Sequence, residues 1–451
     1  MTSLRFFGGV GEIGGNRILV EAEDTRIFLD FGKSFGKEKQ YYDVPFSQPK
    51  TEDHLLELGL LPDLEGLYKD AVEPSVDGIF VSHPHLDHWG YTCFLDNRIP
   101  LYCGADTKDM ILCNEFISSQ GPSKDYYLGN LTKSGGEEVY KEFRLFRGGG
   151  KVQVGPIEVE PFPVDHSIPA AYGFLIHTPS DSIAYTGDFR LHGPRKDVSQ
   201  NFVRKVAQSD VDLLLTEATN MTRADESTEA SVREKFSYII QDASGLVMTA
   251  FSVRDLDRLM SIYEAAQSNA RKLAISMKQA YLLQNLRGST PHLALPELSD
   301  EDLLVFRKEK SCTYAWEEEV LRETNAYTGS DLNQMQEDIV LVASLYYMNE
   351  VMEVDPQPGS VFVLSKSEPF DEEGVLQHEK LLHWCEHFGL PLYQIHASGH
   401  VMPYDLKAAI DEMHPRTVIP IHTESPYLFK RFIADLEREV TIPELGTRLL
   451  M

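Results

Sequence analysis

Six residues, His83-Pro-His-Leu-Asp-His88, put three imidazoles and a carboxylate into one short stretch. The segment before them, Asp77-Gly-Ile-Phe-Val-Ser82, is apolar and partly β-branched, so it reads as a buried strand running into a loop. A loop at a strand's end can aim His83, His85, Asp87 and His88 into one cleft, where a helix would spread them around its circumference. Imidazole suits zinc, and neighbouring carboxylates extend such a site towards a second divalent ion. A structural zinc site favours thiolates, and none falls within this stretch.

The stretch resembles the His-x-His-x-Asp-His signature of the metallo-β-lactamase superfamily, which requires further ligands downstream at strand ends. Three positions meet that requirement: His166 in Pro163-Val-Asp-His-Ser167, Asp188 ending Ile183-Ala-Tyr-Thr-Gly-Asp188, and His422 in Val418-Ile-Pro-Ile-His422. Taken singly, each is an ordinary polar residue; together, in matching contexts, they complete a set.

At 451 residues the chain exceeds one ordinary core and suggests two domains. No apolar run approaches a membrane span, and the N-terminus shows no signal-peptide pattern. The five cysteines (Cys93, Cys103, Cys113, Cys312, Cys385) form neither a CxxC motif nor a disulfide framework, which fits a reducing cytoplasm. Net charge is −28. So acidic a chain repels nucleic acid on average, and a polyanion must be drawn by a local cationic cleft and metal ions.

Gly9-Val-Gly-Glu-Ile-Gly14 matches the dinucleotide fingerprint G-x-G-x-x-G, with Asp30 about where a ribose-binding acid would stand. That fold needs a helix to begin at the glycines. Two alternating runs follow instead, Asn16–Ala22 and Thr25–Asp30, joined by Glu23-Asp24. This is a hairpin, and the glycines are expected to let backbone pass close to a metal cleft. The segment 33–74 is loop-rich, with a helical piece near Glu52–Gly59 and two tyrosines, Tyr41 and Tyr42, of a type that can stack on bases or pack.

Near Asp212-Leu-Leu-Leu-Thr-Glu217 the texture changes. Helix, strand, helix and strand are expected over Ser231–Gln241, Gly245–Ala250, Arg254–Ser268 and Lys272–Ser276, an alternation that implies a parallel sheet. The polar stretch Ser299–Gln336 is harder to place. Gly359-Ser-Val-Phe-Val-Leu-Ser365 reads as a buried strand returning towards the first core. The helix Leu376–Phe388 carries His378, His383 and His387 on scattered faces, so it reads as a surface helix with Cys385 packed inward rather than as a metal site.

An α/β insert between Asp188 and His422 resembles the β-CASP arrangement, and the resemblance to ribonuclease J of the shorter, archaeal-like type covers nearly the whole chain. Besides the Gly8-Gly-Val-Gly-Glu-Ile-Gly14 opening, Glu217 in Leu-Leu-Thr-Glu-Ala-Thr, His400 in His396-Ala-Ser-Gly-His400 and His422 match its β-CASP motifs. Phe251-Ser-Val-Arg-Asp255 and, more loosely, Ser365-Lys-Ser-Glu-Pro369 resemble further segments. Neither an additional C-terminal domain beyond Met451 nor an N-terminal KH region is expected. The fold implied is an αββα sandwich interrupted by an α/β domain, divided as 1–217, 218–365 and 366–451.

By the same resemblance, one zinc takes His83, His85 and His166, and a second takes Asp87, His88 and His422, with Asp188 bridging. Two Zn2+ per chain are implied, with Mn2+ or Mg2+ as alternative activating ions. Asp87 and Asp188 serve the hydrolysis of an RNA phosphodiester, His400 is the candidate acid for the leaving 3′ oxygen, and Glu217 holds its tautomer or charge. Ser365, Ser367, His396 and Ser398 are candidate contacts for a 5′ phosphate. The activity implied is a 5′→3′ exoribonuclease preferring 5′-monophosphorylated, single-stranded RNA, with endonuclease activity beside it and a homodimer left open. The rivals are a purely endonucleolytic β-CASP enzyme, a small-molecule metallohydrolase and a non-catalytic scaffold. The last is disfavoured because the ligand set is complete.

Overall fold

The computed structural model describes the chain apart from residues 43–46, 48, 70, 119–130, 133–137, 140, 223, 225–226, 291–292 and 368–371. Residues 368 and 369 of the loosely matched motif therefore lie outside the described residues. The chain divides into two compact units, Met1–Ala224 with Gly399–Met451, and Asp225–Ser398.

The first unit is built on two seven-stranded sheets. One runs Arg448–Leu450, Thr2–Gly8, Arg17–Ala22, Thr25–Leu29, Gly78–Phe80, Leu101–Gly104, Phe143–Phe146. The other runs Glu439–Val440, Thr417–Ile421, Leu213–Glu217, Ser182–Tyr185, Ala171–His177, Ile157–Val164, Val152–Val154. Side-chain alternation explains the layering. Ile18, Val20, Ile27, Leu29 and Phe80 share one core with Phe174, Ile176, Leu213, Leu215 and Ile419 of the other sheet. Their neighbours Leu19, Phe28, Ile79 and Val81 point the other way into a second core, and Leu175, Ala184, Leu214 and Val418 into a third. Apolar residues on both faces demand cover on both faces, which is the αββα sandwich.

The expected hairpin forms, with Arg17–Ala22 antiparallel to Thr25–Leu29 and Glu23 left-handed at φ 54° in its two-residue turn. No helix follows the N-terminal glycines, so the dinucleotide fingerprint is a decoy.

The second unit carries a parallel seven-stranded sheet, in the order Ala326–Tyr327, Leu303–Phe306, Lys272–Ser276, Ile339–Val342, Val247–Ala250, Val361–Leu364, Leu392–Gln394. The expected helices and strands stand at Glu229–Asp242, Val247–Ala250, Leu256–Ser268 and Lys272–Ser276. One expectation is corrected. Val361–Leu364 does not return to the first core but pairs with Val247–Ala250 inside this sheet, so the second unit runs on to Ser398 rather than ending at 365. In the helix Glu372–Phe388, Cys385 is buried and His383 and His387 are exposed, as a surface helix requires.

Candidate metal centre

The strands of the first unit deliver their ends to one edge. Thr25–Leu29 is parallel to Gly78–Phe80, and Ser182–Tyr185, Leu213–Glu217 and Thr417–Ile421 are mutually parallel. Asp30, His83, Asp188, Glu217 and His422 all stand at or just past the carboxyl ends of these strands. His166 follows Ile157–Val164 in the same sense. The stretch expected to be a loop is one only as far as His85; Leu86–Trp89 then forms a short helical turn. Tertiary bonds impose that turn, with Asn16 N donating to Asp87 O at 3.0 Å and Phe31 N to His88 O at 2.8 Å.

The glycines act as expected. Gly14 has φ +83°, and a Cβ there would lie 2.7 Å from Asp87 Oδ2. Gly32 is tighter still, since its Cβ would lie 1.6 Å from Asp87 O. Backbone passes so close to the ligand loop that only glycine fits.

All seven residues expected to hold metal converge. One atom each from His83, His85, His166 and Asp188 lies within 4.8 Å of the others, and so do atoms from Asp87, His88, Asp188 and His422. Asp188 Oδ2 is 3.6 Å from His83 Nε2, 3.2 Å from His88 Nε2 and 3.5 Å from His422 Nε2. It belongs to both groups.

Outer hydrogen bonds decide which nitrogen of each ring faces inward. His166 Nδ1 donates to Gly399 O at 2.6 Å, and His88 Nδ1 to Asp30 Oδ2 at 2.6 Å. Ser82 Oγ donates to Asp30 Oδ2 at 2.8 Å and so accepts from His83 Nδ1 at 3.0 Å. Likewise Thr219 Oγ1 donates to Glu217 Oε2 at 2.6 Å and accepts from His422 Nδ1 at 2.9 Å. In four rings Nε2 faces the centre, and at His88 burial lowers the imidazole's pKa but Asp188 and Asp30 outweigh it and raise it well above the usual range. His85 presents Nδ1 instead, 3.1 Å from both His83 Nε2 and His166 Nε2. Three ring nitrogens that close, with the Nδ1 protons of His83 and His166 committed elsewhere, form a pocket suited to a cation.

Charge points the same way. His83 and His166 are held neutral, first by burial and then by neighbouring imidazoles. Burial opposes ionisation of Asp87 and Asp188, yet the surrounding histidines outweigh it and hold both carboxyls well below their usual range. His88 Nε2 and Asp188 Oδ1 are buried without a well-formed hydrogen bond. Orphaned acceptors in a buried site cost free energy unless an ion completes them. The donor set, five imidazoles and two carboxylates without thiolate, fits divalent metal.

Glu217 and His400 stand beside this cage. His400 Nδ1 donates to Glu217 Oε2 at 3.0 Å and lies 3.8 Å from Asp188 Oδ2. Glu217 Oε1 also accepts from Phe189 N at 3.0 Å. Burial disfavours the imidazolium, but Glu217 and Asp188 outweigh it and raise His400 to about 9. The other four candidates belong to the second unit. Ser365 is buried, its hydroxyl donating to Ile395 O at 2.7 Å and accepting from Arg258 Nη1 at 2.6 Å. Ser367 is exposed, and His396 and Ser398 are half-buried.

Sequence reasoning missed several supporting residues. Asp30 is fully buried and accepts from Ser82 N, Ser82 Oγ, His88 Nδ1 and Tyr185 Oη at 2.5–2.8 Å. A carboxylate closing the apolar run Ile27-Phe-Leu was the available signal. Asp165, also buried, clamps the loop of His166 through Arg190 Nε and Arg195 Nη2, each at 3.3 Å.

Comparison with known proteins agrees with this architecture. Residues 62–245 match the model of the "Beta-lactamase superfamily domain". The chain is 25% identical to "Ribonuclease J" of Mycoplasma pneumoniae, over 98% of this chain and 71% of that protein. It is 27% identical to "Ribonuclease J" of Thermus thermophilus, over 92% and 67%. It is 24% identical to "Ribonuclease J 2" of Streptococcus pyogenes, over 94% and 70%. A crystal structure of a protein of unknown function from Enterococcus faecalis V583 shares the fold, with a TM-score of 0.78 at 23% identity and full coverage of both chains. The chain is thus similar to the β-lactamase superfamily domain over residues 62–245 and to ribonuclease J proteins over nearly its whole length.

Proposed function

We propose that this protein is a metal-dependent ribonuclease acting on single-stranded RNA, a 5′→3′ exonuclease that binds two zinc ions per chain. The observation that carries the reading is Asp188 Oδ2, which faces His83, His88 and His422 at 3.2–3.6 Å with the His400–Glu217 pair alongside. His83, His85 and His166 with Asp188 would hold one ion; Asp87, His88 and His422 with Asp188 would hold the other. When bound, such ions lower the pKa of water and neutralise charge on a phosphate.

The chain's own residues supply the rest. Glu217 fixes His400 through Nδ1, which leaves the Nε2 proton for the oxygen that departs when the P–O3′ bond breaks. Thr219 links Glu217 to His422, so one carboxylate orients both the acid and a ligand. Ser367, His396 and Ser398 are proposed to contact a 5′ monophosphate through charge-assisted hydrogen bonds, with Ser365 holding their loop. The five cysteines are unpaired thiols, which supports a reducing cytoplasm. Among the described residues no helix is long and apolar enough to cross a membrane.

The test is digestion of 5′-labelled RNA with mapped products, together with elemental analysis. Mononucleotides, faster release from monophosphorylated than from triphosphorylated or hydroxyl ends, and close to two zinc ions are expected. Asp87→Ala should abolish cleavage. Internal fragments, or circular RNA cut as fast as linear, would point to an endonuclease instead. A fully active Asp87→Ala variant would sink the metal mechanism.

A further inference from the structure

The second unit carries a cationic cavity that the reading above leaves unused. Strands Lys272–Ser276 and Leu303–Phe306 are parallel neighbours, and the residues just past their carboxyl ends are Met277-Lys278 and Arg307-Lys-Glu-Lys310. In open parallel sheets, ligands bind beyond the carboxyl ends of strands. A cavity of about 410 Å³ opens there, lined by three cations, Arg307, Lys308 and Lys310, and two carboxylates, Glu309 and Glu317, together with Met277. That volume suits a nucleotide-sized ligand better than a single small ion.

The cations are gathered at a cost. Lys278 is partly buried, and its ammonium is weakened first by burial and then by the positive charges of Arg254, Lys310 and Lys308. Lys310 is neutralised by Glu317 at 2.6 Å, and Lys308 approaches Glu350 at 3.7 Å. Arg307 and Lys278 have no carboxylate within ion-pair distance among the described residues. In a chain of net charge −28, where carboxylates outnumber basic residues 70 to 42, two unpaired cations beside two more invite an anion.

We infer that this cavity binds the sugar–phosphate backbone of RNA, with Arg307 in its lining and Lys278, just outside that lining at the neighbouring strand end, as the phosphate contacts that lack a carboxylate partner. The inference rests on the ribonuclease reading for its ligand. Arginine's planar fork suits phosphate oxygens, and a row of cations over two adjacent strand ends suits a polymer of phosphates. Phosphate contacts are read as salt dependence, each one lost from a single strand making the log–log slope shallower by about 0.7.

The experiment compares the wild type with the Lys278→Gln/Arg307→Gln double variant. Anisotropy of a fluorescein-labelled oligouridine of about thirty nucleotides, with divalent ions chelated, should show a roughly fivefold to tenfold weaker Kd near 0.1 M salt. The slope should fall by about 1.4 for two lost contacts. The charge-keeping Lys278→Arg/Arg307→Lys variant should bind like the wild type. With metal restored, kcat on a trinucleotide should be unchanged while KM for long RNA rises. Unchanged affinity and slope would overturn the proposal. So would ATP bound by the wild type and lost from the double variant while RNA affinity holds, since the cavity would then take free nucleotides. A wild type that cleaves no RNA, with a double variant that loses RNA affinity, would remove the ribonuclease reading and leave this site standing.

Discussion

Asp30 Oδ2 lies 2.6 Å from His88 Nδ1, and on the far side of the same ring His88 Nε2 faces Asp188 Oδ2 at 3.2 Å. One imidazole thus connects two carboxylates, an outer one that orients it and an inner one at the centre of the cage. Asp30 is itself held by Ser82 and Tyr185 and takes φ +58°, a left-handed conformation that few non-glycine residues adopt. His422 is left-handed as well, at φ +52°. Strain of this kind persists where the surrounding structure over-determines the backbone.

Asp30→Ala should therefore weaken metal retention without dismantling the sandwich. Loss of an outer partner of a metal-binding histidine typically costs about 10–100-fold in affinity or activity. Titration with zinc against a competing chelator would measure it. Retention equal to the wild type would mean that the His88 ring is oriented by packing alone.

Gly14 offers a complementary perturbation from the backbone side. At φ +83° a side chain is strained, and the added methyl would press on the Asp87 carboxylate at 2.7 Å. Gly14→Ala should cost about 1 kcal/mol of stability from the backbone and should displace Asp87. The expected outcome is a zinc content falling towards one per chain with a small drop in Tm. Full zinc content and normal cleavage would show that the loop yields without disturbing the ligand.

Much of the centre was legible in the sequence because its candidate ligands sit at strand ends, where an apolar run stops at a histidine or aspartate. His166, Asp188 and His422 each follow such a run. Asp30 follows one too, but its role depends on His88, fifty-eight residues away, and no local pattern carries that pairing. The helical turn Leu86–Trp89 was illegible for a similar reason, since bonds from Asn16, Phe31 and Lys33 create it. Val361–Leu364 was recognisable as a buried strand, but periodicity does not say which sheet a strand joins. Arg307–Lys310 falls inside the polar stretch Ser299–Gln336, which no local pattern places; the pairing of Leu303–Phe306 with Lys272–Ser276 puts it beside the strand end that carries Lys278.

Lys141 gives a stability prediction with a definite sign. Its ammonium is buried, and burial, the leading cause, pushes its pKa down to about 7; Nζ donates to Leu95 O at 2.7 Å and Asp96 O at 3.3 Å. A neutral amine can still make both bonds. The unfolded value is about 10.4. Between these values the unfolded chain binds more protons than the folded one, so this group makes stability rise with pH. The penalty is fully present below about pH 7 and fades as pH approaches 10. Lys141→Met removes it and loses the two donor bonds. Relative to the wild type, the variant should therefore look best at pH 7 and worse by a few kcal/mol at pH 9–10, with about 1.4 kcal/mol per pH unit as the ceiling. Urea denaturation of both proteins at the two pH values would measure the slope. A pH-independent difference would mean that Lys141 remains charged in the fold.

The last prediction separates the acid from the metal site. On the proposed reading His400 carries the proton that releases the 3′ oxygen, and Glu217 and Asp188 keep it protonated by outweighing burial and raising it to about 9. Activity should then fall as pH rises through the alkaline range, because the acid is lost. Glu217→Gln removes the larger of the two raising charges while keeping an oxygen for Phe189 N and Val401 N. The alkaline limb of kcat/KM should move to lower pH, with little loss at pH 6 and a growing loss by pH 8. His400→Ala should lose about a hundredfold or more at every pH while retaining both zinc ions and RNA affinity, since His400 lies outside the two four-residue groups and joins only Glu217 and His422 in a smaller third one. Zinc lost from His400→Ala would make it a ligand. An alkaline limb unmoved in Glu217→Gln would leave Glu217 as a structural anchor for His422 through Thr219, with no hold on the proton of His400.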